Sequence, residues 1–289
     1  MNYLLHILTV IAIYSILASS LNLLVGYTGL LSLSHAAFYG IGAYVSALLM
    51  VEAGLPFLPS LFIAVAVATL ISFVISVPSL RLRGDYFVLA SLGFQTIIYF
   101  LLYNWVGLTR GPYGIAGIPK PRLPGIEVAS VGSYFVFSFA IAVICVGLLY
   151  CVGNSPFGRA LKAIREDELA AASLGKNVFR LKVTAFALAA SFAALSGVLF
   201  AGFMRYIDPN SFTVMESIFI LSIIIIGGTG NISGPLIGTV LMVILPEALR
   251  FVGLPDRIAP NLRQIIYGTM IILILRFRPQ GLAGEYRFE

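Results

Sequence analysis

Nine stretches of this chain are nearly free of charge: roughly 3–25, 36–51, 57–80, 86–106, 131–152, 178–203, 212–226, 235–252 and 264–276. About 20 apolar residues in a row match the thickness of a bilayer's hydrocarbon core, so the chain has room for about 8–10 membrane spans and for no sizeable aqueous domain. Only 10% of the 289 residues are charged and 60% are hydrophobic, against roughly 25% charge in soluble chains. A water-soluble globule is excluded. Lipid offers backbone amides no partner, so each span must satisfy its own hydrogen bonds as a helix, and the alternation a barrel needs is missing. The expected fold is all-α: a polytopic transmembrane helical bundle, residues 1–289, forming one domain. No Lys or Arg precedes the first apolar stretch, which therefore reads as a span and not as a secretory signal.

The basic residues fix an expected orientation. They gather as Arg81 and Arg83, then Arg159, Lys162, Arg165, Lys176, Arg180 and Lys182, and finally Arg276, Arg278 and Arg287. Even numbers of apolar stretches separate the three clusters, which places them, and the C-terminus, on one side, the cytoplasmic one by the excess of positive charge. The loop at about 107–131 then lies outside, although it carries Arg110, Lys120 and Arg122. That loop is dense in glycine and proline and should form a turn-rich surface. The net charge of +6 is accounted for by orientation, and no dense basic stripe suggests nucleic acid as a partner.

Catalysis finds no footing. Cys145 and Cys151 make no metal-ligand spacing, His6 and His35 stand alone, and no G-x-x-x-x-G-K-[ST] loop is present to cradle a nucleotide. We therefore expect no catalytic residues, no metal and no cofactor in this chain. A self-sufficient secondary transporter would need an ion-coupling carboxylate inside the membrane, for which Glu216 is the one reasonable candidate.

Two glycine-rich segments resemble each other. Residues Gly26-Tyr27-Thr28-Gly29-Leu30-Leu31-Ser32 and Gly227-Gly228-Thr229-Gly230-Asn231-Ile232-Ser233 share the pattern G-x-T-G-x-aliphatic-S, each directly after an apolar stretch. Glycine serves many short membrane turns, and that alone can account for the match. The sharper reading is an internal repeat with broken or re-entrant, Gly-interrupted helices at a protein-lined pathway. Gly40 and Gly42 place a further interruption in the short stretch 36–51.

The loop at about 154–177 carries the clearest local signals. Ser155-Pro156 starts a helix through an N-cap hydroxyl and a proline at the first position. Phe157, Leu161 and Ile164 then form one apolar stripe, with Arg159 and Lys162 off it. Glu166-Asp167-Glu168 suits the N-terminus of a second helix, the alanine-rich run 169–174, and Gly175 suits its C-cap. Read alone, the segment is equally an ordinary solvated loop whose charges set topology.

Polar residues within apolar stretches should face protein or water, because an ionised group at mid-bilayer costs about 2.5–3.5 kcal/mol on insertion scales. They are Asn22, His35, Gln95, Asn104, Glu216 and Glu247. Glu216, close behind Asp208-Pro209, is read either as an interfacial carboxylate or as part of the outer mouth of a pathway.

Five blocks carry a family resemblance: Gly26 to Tyr44, Pro78-Ser-Leu-Arg-Leu-Arg-Gly-Asp-Tyr-Phe87, Gly111-Pro-Tyr-Gly-Ile115, Gly158-Arg-Ala-Leu-Lys-Ala-Ile-Arg-Glu-Asp-Glu168 and Phe277-Arg-Pro-Gln-Gly-Leu282. Together they closely resemble the LivM-type permeases of branched-chain amino-acid ABC importers. The resemblance implies a multi-pass subunit of a prokaryotic inner membrane, embedded in lipid, that forms the path for leucine, isoleucine and valine. Its implied partners are a LivH-like permease, two cytoplasmic ATPases that bind ATP and Mg, and an extracytoplasmic amino-acid-binding protein. Similar permeases for urea, amides or other amino acids remain the alternative. The family's coupling segment falls on Ala160 to Gly175, with Ala160, Ile164, Arg165, Glu168, Ala171 and Gly175 as coupling candidates. Its usual glutamate position is Leu169 here, with Glu168 one place earlier. Path candidates are Asn22, Ser34, His35, Gln95, Glu216, Thr229 and Asn231. Ser34 stands where relatives commonly have glycine, and Gln95-Thr96 where many have glycine-glutamate.

Overall fold

The computed structural model describes residues 2–82, 84–123, 126–127, 130–251, 259–278 and 280–284. Arg83 and Arg287 of the basic clusters lie outside the described residues, as do Pro124 and Gly125 of the outer loop and Pro279 of the last family block. The helices are α1 (Asn2–Thr28), α2 (His35–Val51), α3 (Phe57–Ser79), α4 (Asp85–Asn104), the one-turn α5 (Val106–Thr109), α6 (Val131–Asn154), α7 (Pro156–Glu166), α8 (Glu168–Ser173), α9 (Val178–Met204), α10 (Val214–Gly227), α11 (Ser233–Phe251) and α12 (Ala259–Phe277). The strands are two residues each: β1 (Ile115–Ala116), β2 (Arg122–Leu123), β3 (Ile126–Glu127) and β4 (Tyr206–Ile207). The all-α expectation stands, and the apolar stretches divide into two kinds. Helices α1, α3, α4, α6 and α9 are long and apolar enough to cross a membrane, whereas α2, α10 and the apolar parts of α11 and α12 are shorter.

Helices α1 and α9 form the spine. Against α9 pack α1, α2 and α3, and α1 also meets α6, α10 and α11. Small residues permit this closeness. A side chain at Gly42 of α2 would lie 2.5 Å from Ala194 Cα of α9, and one at Gly197 of α9 would lie 2.9 Å from Ala43 N of α2. Without water to drive helices together, such backbone approach is a main source of packing energy in membranes. Gly40 and Gly42 therefore do not interrupt α2, which is one continuous helix. The outer helices α3, α4 and α6 turn Phe62, Val74, Ile97, Val136 and Ile144 outward.

The ends of the helices form two faces. On one, α1 and α3 end, α4 and α9 begin, and α7 and α8 lie across a cavity of about 740 Å³ bordered by Arg81, Asp85, Arg165, Glu168 and Lys182. We term this the basic face. On the opposite face β1 pairs antiparallel with β4, Ile115 against Ile207, while β2 and β3 form a small hairpin. Ile115 and Ile118 are fully buried, so the glycine- and proline-rich loop is pinned to the bundle and is more than a solvated surface. After β4 the 3-10 turn Pro209–Phe212 dips inward, and the Phe212 ring sits 5.2 Å from Tyr39 and 6.2 Å from Phe200. Helix α10 consequently begins inside the bundle, and its 14 residues suffice to reach the basic face.

Candidate translocation and coupling sites

The hairpin on the basic face is built from caps. The Ser155 hydroxyl accepts from Gly158 N at 3.3 Å and Pro156 takes the first position of α7, whose Gly158, Leu161 and Ile164 face inward. Extended backbone at Asp167 ends α7, and its carboxylate accepts from Leu169 N (2.8 Å) and Ala170 N (3.0 Å) to start α8. Of the three consecutive acids, the middle one is the cap. Gly175, at φ +76°, closes α8 by donating to Ala172 O at 2.9 Å. Ile164, Ala171 and Val178 form a small apolar cluster that folds the two helices onto the start of α9, and Lys182 Nζ donates to Glu168 Oε2 at 2.6 Å. Ala160 is half-buried along α7. Leu169 and Leu174, by contrast, are 73% and 80% exposed.

Arg165 leaves the hairpin and reaches the membrane helices. Its guanidinium donates to Gly26 O in the last turns of α1 and to Glu166 Oε1. Gly26 in turn sits against the second glycine segment, since a Cβ there would lie 2.6 Å from Gly230 N. Asn22 ties the two together, donating to Asn231 O at 2.7 Å and accepting from Gly230 N at 3.2 Å. Asn231 caps α11 through Gly234 N (2.9 Å) and donates to Ala283 O. The tail runs alongside, with Leu282 N and Ala283 N donating to Ile226 O (3.0 Å) and Gly227 O (2.9 Å). Gly228, Gly281 and Gly284 have backbone where side chains would be. The Thr229 hydroxyl is buried there without a hydrogen-bond partner among the described residues. The two glycine segments thus meet in one junction, joined to the hairpin and the tail.

A second polar cluster surrounds the buried start of α2. His35 Nε2 and Ser20 Oγ are 2.7 Å apart, and Ser34 Oγ lies 2.9 Å from Ser32 Oγ. Leu33 N donates to Ser91 Oγ of α4, and Ala36 N to Ser217 Oγ of α10. Gln95 bridges the same elements, its amide donating to Phe212 O at 2.8 Å and its oxygen lying 3.3 Å from Ser217 Oγ. Beside it Tyr14 OH donates to Glu216 Oε1 at 2.5 Å.

The seven path candidates therefore separate by position. Asn22, Thr229 and Asn231 share the glycine junction, Ser34, His35 and Gln95 the start of α2, and Glu216 adjoins the latter. Asn104 is exposed at the end of α4 and donates to Phe100 O of its own helix, so it faces no polar interior. Glu247 accepts from Tyr3 OH. The sequence reading overlooked Ser20, Ser91, Ser217 and Tyr14, whose polar atoms are the partners of the candidates it named. Serines recurring inside apolar stretches are the signal that could have found them.

Residues 3–275 match the model of the family described as branched-chain amino acid transport system, permease component. The chain belongs to this family. It is thus a permease component and a multi-pass membrane protein. It is 38% identical to the high-affinity branched-chain amino acid transport system permease protein LivM of Escherichia coli (strain K12), over 96% of this chain and 69% of the relative. A probable LivM of Methanocaldococcus jannaschii is 28% identical over 78% of this chain and 68% of its own length. The LivH permease of Salmonella typhimurium is 27% identical over 96% of this chain and 92% of its own. No solved structure matches the chain.

Proposed function

We propose that this chain forms half of the translocation path of an ABC importer for leucine, isoleucine and valine, with ATP hydrolysed by two separate subunits at the basic face. That face is then cytoplasmic, and the C-terminus lies on its side. The other half of the path is a LivH-like permease. Support comes from this chain's likeness to both LivM and LivH relatives across 96% of its length, as a pair of homologous halves requires. The face bearing β1 and β4 receives an amino-acid-binding protein, with exposed Arg110, itself 3.8 Å from Glu52, offered to acidic groups.

The observation that carries the reading is Arg165. An ATPase can move a permease only through a rigid element that both touch. Helices α7 and α8 are capped at both ends, with Leu169 and the C-cap Leu174 exposed, and they hold the glycine junction through the Arg165 guanidinium, beside which Lys162 lies over the Tyr27 ring. Asp167 and Lys182–Glu168 fix the hairpin's shape, so displacement of the hairpin passes to α1 and, through Asn22, to the α10–α11 turn. The two turns act as corresponding ends of an internal repeat in this proposal.

The test uses the complex of both permeases and both ATPases in proteoliposomes, with binding protein and leucine, isoleucine, valine or urea outside. Arg165→Met should lower leucine uptake per ATP hydrolysed about tenfold, the order expected of a lost coupling contact, and Arg165→Lys should restore part of it. Uptake per ATP unchanged in Arg165→Met would refute the linkage. Urea carried in preference to leucine would refute the substrate.

A further inference from the structure

Glu216 occupies an unusual place for a carboxylate. Its hydrogen-bond donor Tyr14 lies midway along α1, and the next residue, Ser217, meets Gln95 from the middle of α4. The carboxylate is therefore at mid-depth. It is half-buried, and among the described residues no lysine or arginine pairs with it. A phenol hydroxyl donates a hydrogen bond but brings no positive charge. A carboxylate at this depth with no cation beside it is strongly disfavoured against acyl chains, so it must meet a polar path or protein.

Aromatic rings cluster around its donor, Tyr14. The Tyr14 ring stands edge-on to Phe219 at 5.7 Å and lies 6.4 Å from Tyr39, and Phe219 is 5.5 Å from Tyr267 of α12. The Tyr39 hydroxyl is buried and has no hydrogen-bond partner among the described residues, which leaves a further oxygen with unused capacity beside Tyr14. Ring faces and a carboxylate attract the same chemical species, an organic ammonium, the first through the quadrupole and the second through charge. The arrangement continues along α1. Tyr3 precedes Tyr14 by eleven residues, about three helical turns, so both lie on one face. Tyr3 donates to Glu247 of α11, nearer the β1–β4 face.

We propose that Glu216, with Tyr14, Tyr39, Phe219 and Tyr267, is a subsite for the ammonium group of the translocated amino acid, and that the α1–α10–α11 face lines the path. Glu247 is the earlier station on that face. The proposal rests on the amino-acid permease reading and adds a reason for it: urea and neutral amides carry no charge for Glu216 to hold.

Two measurements on the full complex in lipid nanodiscs or proteoliposomes test it. A membrane-permeant carbodiimide modifies carboxyl groups in apolar surroundings, and mass spectrometry reads its adduct at Glu216. Isoamylammonium, leucine's side chain with an ammonium and no carboxylate, should slow adduct formation severalfold, whereas isoamyl alcohol of the same shape should not. Protection by both or by neither overturns the proposal. In uptake, Glu216→Gln should reduce leucine transport by about tenfold or more, as loss of one partner of a charge pair does, with Glu216→Asp in between. If Glu216→Gln fails to assemble, Glu216→Asp and the protection assay decide. Wild-type complex that carries no leucine would instead sink the permease reading, whereas wild-type transport matched by Glu216→Gln sinks only this subsite.

Discussion

Helices α6 and α9 are both apolar spans, yet they do opposite work. Within its apolar stretch α9 is 67% buried in the bundle, against 22% for α6, although α6 is the more hydrophobic of the two. In a soluble protein the order would be reversed. Here lipid is as apolar as any side chain, so hydrophobicity marks the outside, and the interior is marked by residues that let backbones touch or hydrogen bonds form. Helix α9 is rich in alanine, with Ala185, Ala189, Ala190, Ala193, Ala194 and Gly197 buried, while α6 turns Val136, Phe139, Val143 and Ile144 to the surroundings.

Paired substitutions can break this contrast. The largest difference is expected between two glycines. Gly197→Leu drives a side chain into the Tyr39 carbonyl and Ala43 N of α2, and overpacking against backbone costs about 3 kcal/mol or more. Gly147→Leu in α6 meets nothing within 4 Å and should leave stability unchanged or slightly raised, since leucine favours helix over glycine. Thermal unfolding of purified protein in detergent measures both, and equal losses would show that the α2–α9 contact is not the tight one. Next come the neighbours Gln95 and Thr96. Gln95→Leu leaves Phe212 O without its buried donor, at about 1–3 kcal/mol. The Thr96 hydroxyl only donates to Leu92 O of its own exposed helix face, so Thr96→Val should cost less than about 0.5 kcal/mol. The smallest effect belongs to Phe139→Ala. This ring is 53% exposed and its ring neighbour is Phe135 of its own helix, so the unfolding midpoint should shift by no more than about a degree or two.

The same contrast explains what could be read from sequence. Spans were legible because charge is absent from them, and α3 and α9 begin and end within a residue or two of the stretches 57–80 and 178–203. The hairpin was legible through Ser155-Pro156 and Gly175, whose roles are local, although Asp167 as the cap between α7 and α8 was not singled out from its acidic neighbours. Tertiary depth was not legible. Asp208-Pro209 pointed to a membrane edge, and nothing nearby in sequence announces that Phe212 plunges among Tyr39, Tyr44 and Phe200 and carries Glu216 to mid-bundle. The two glycine segments could be matched as patterns, but their contact depends on Asn22, whose partners lie in the other half of the chain.

That last contact also sets a chronology. Asn22 leaves the ribosome and enters the bilayer with α1 long before Gly230 and Asn231, which lie 208 and 209 positions later, have been made. The amide must therefore wait in lipid, or borrow temporary company, while the 208 residues up to Gly230 are made. The junction becomes complete only when Leu282 and Ala283 arrive, so α1 enters the bilayer early and is among the last helices here to be finished.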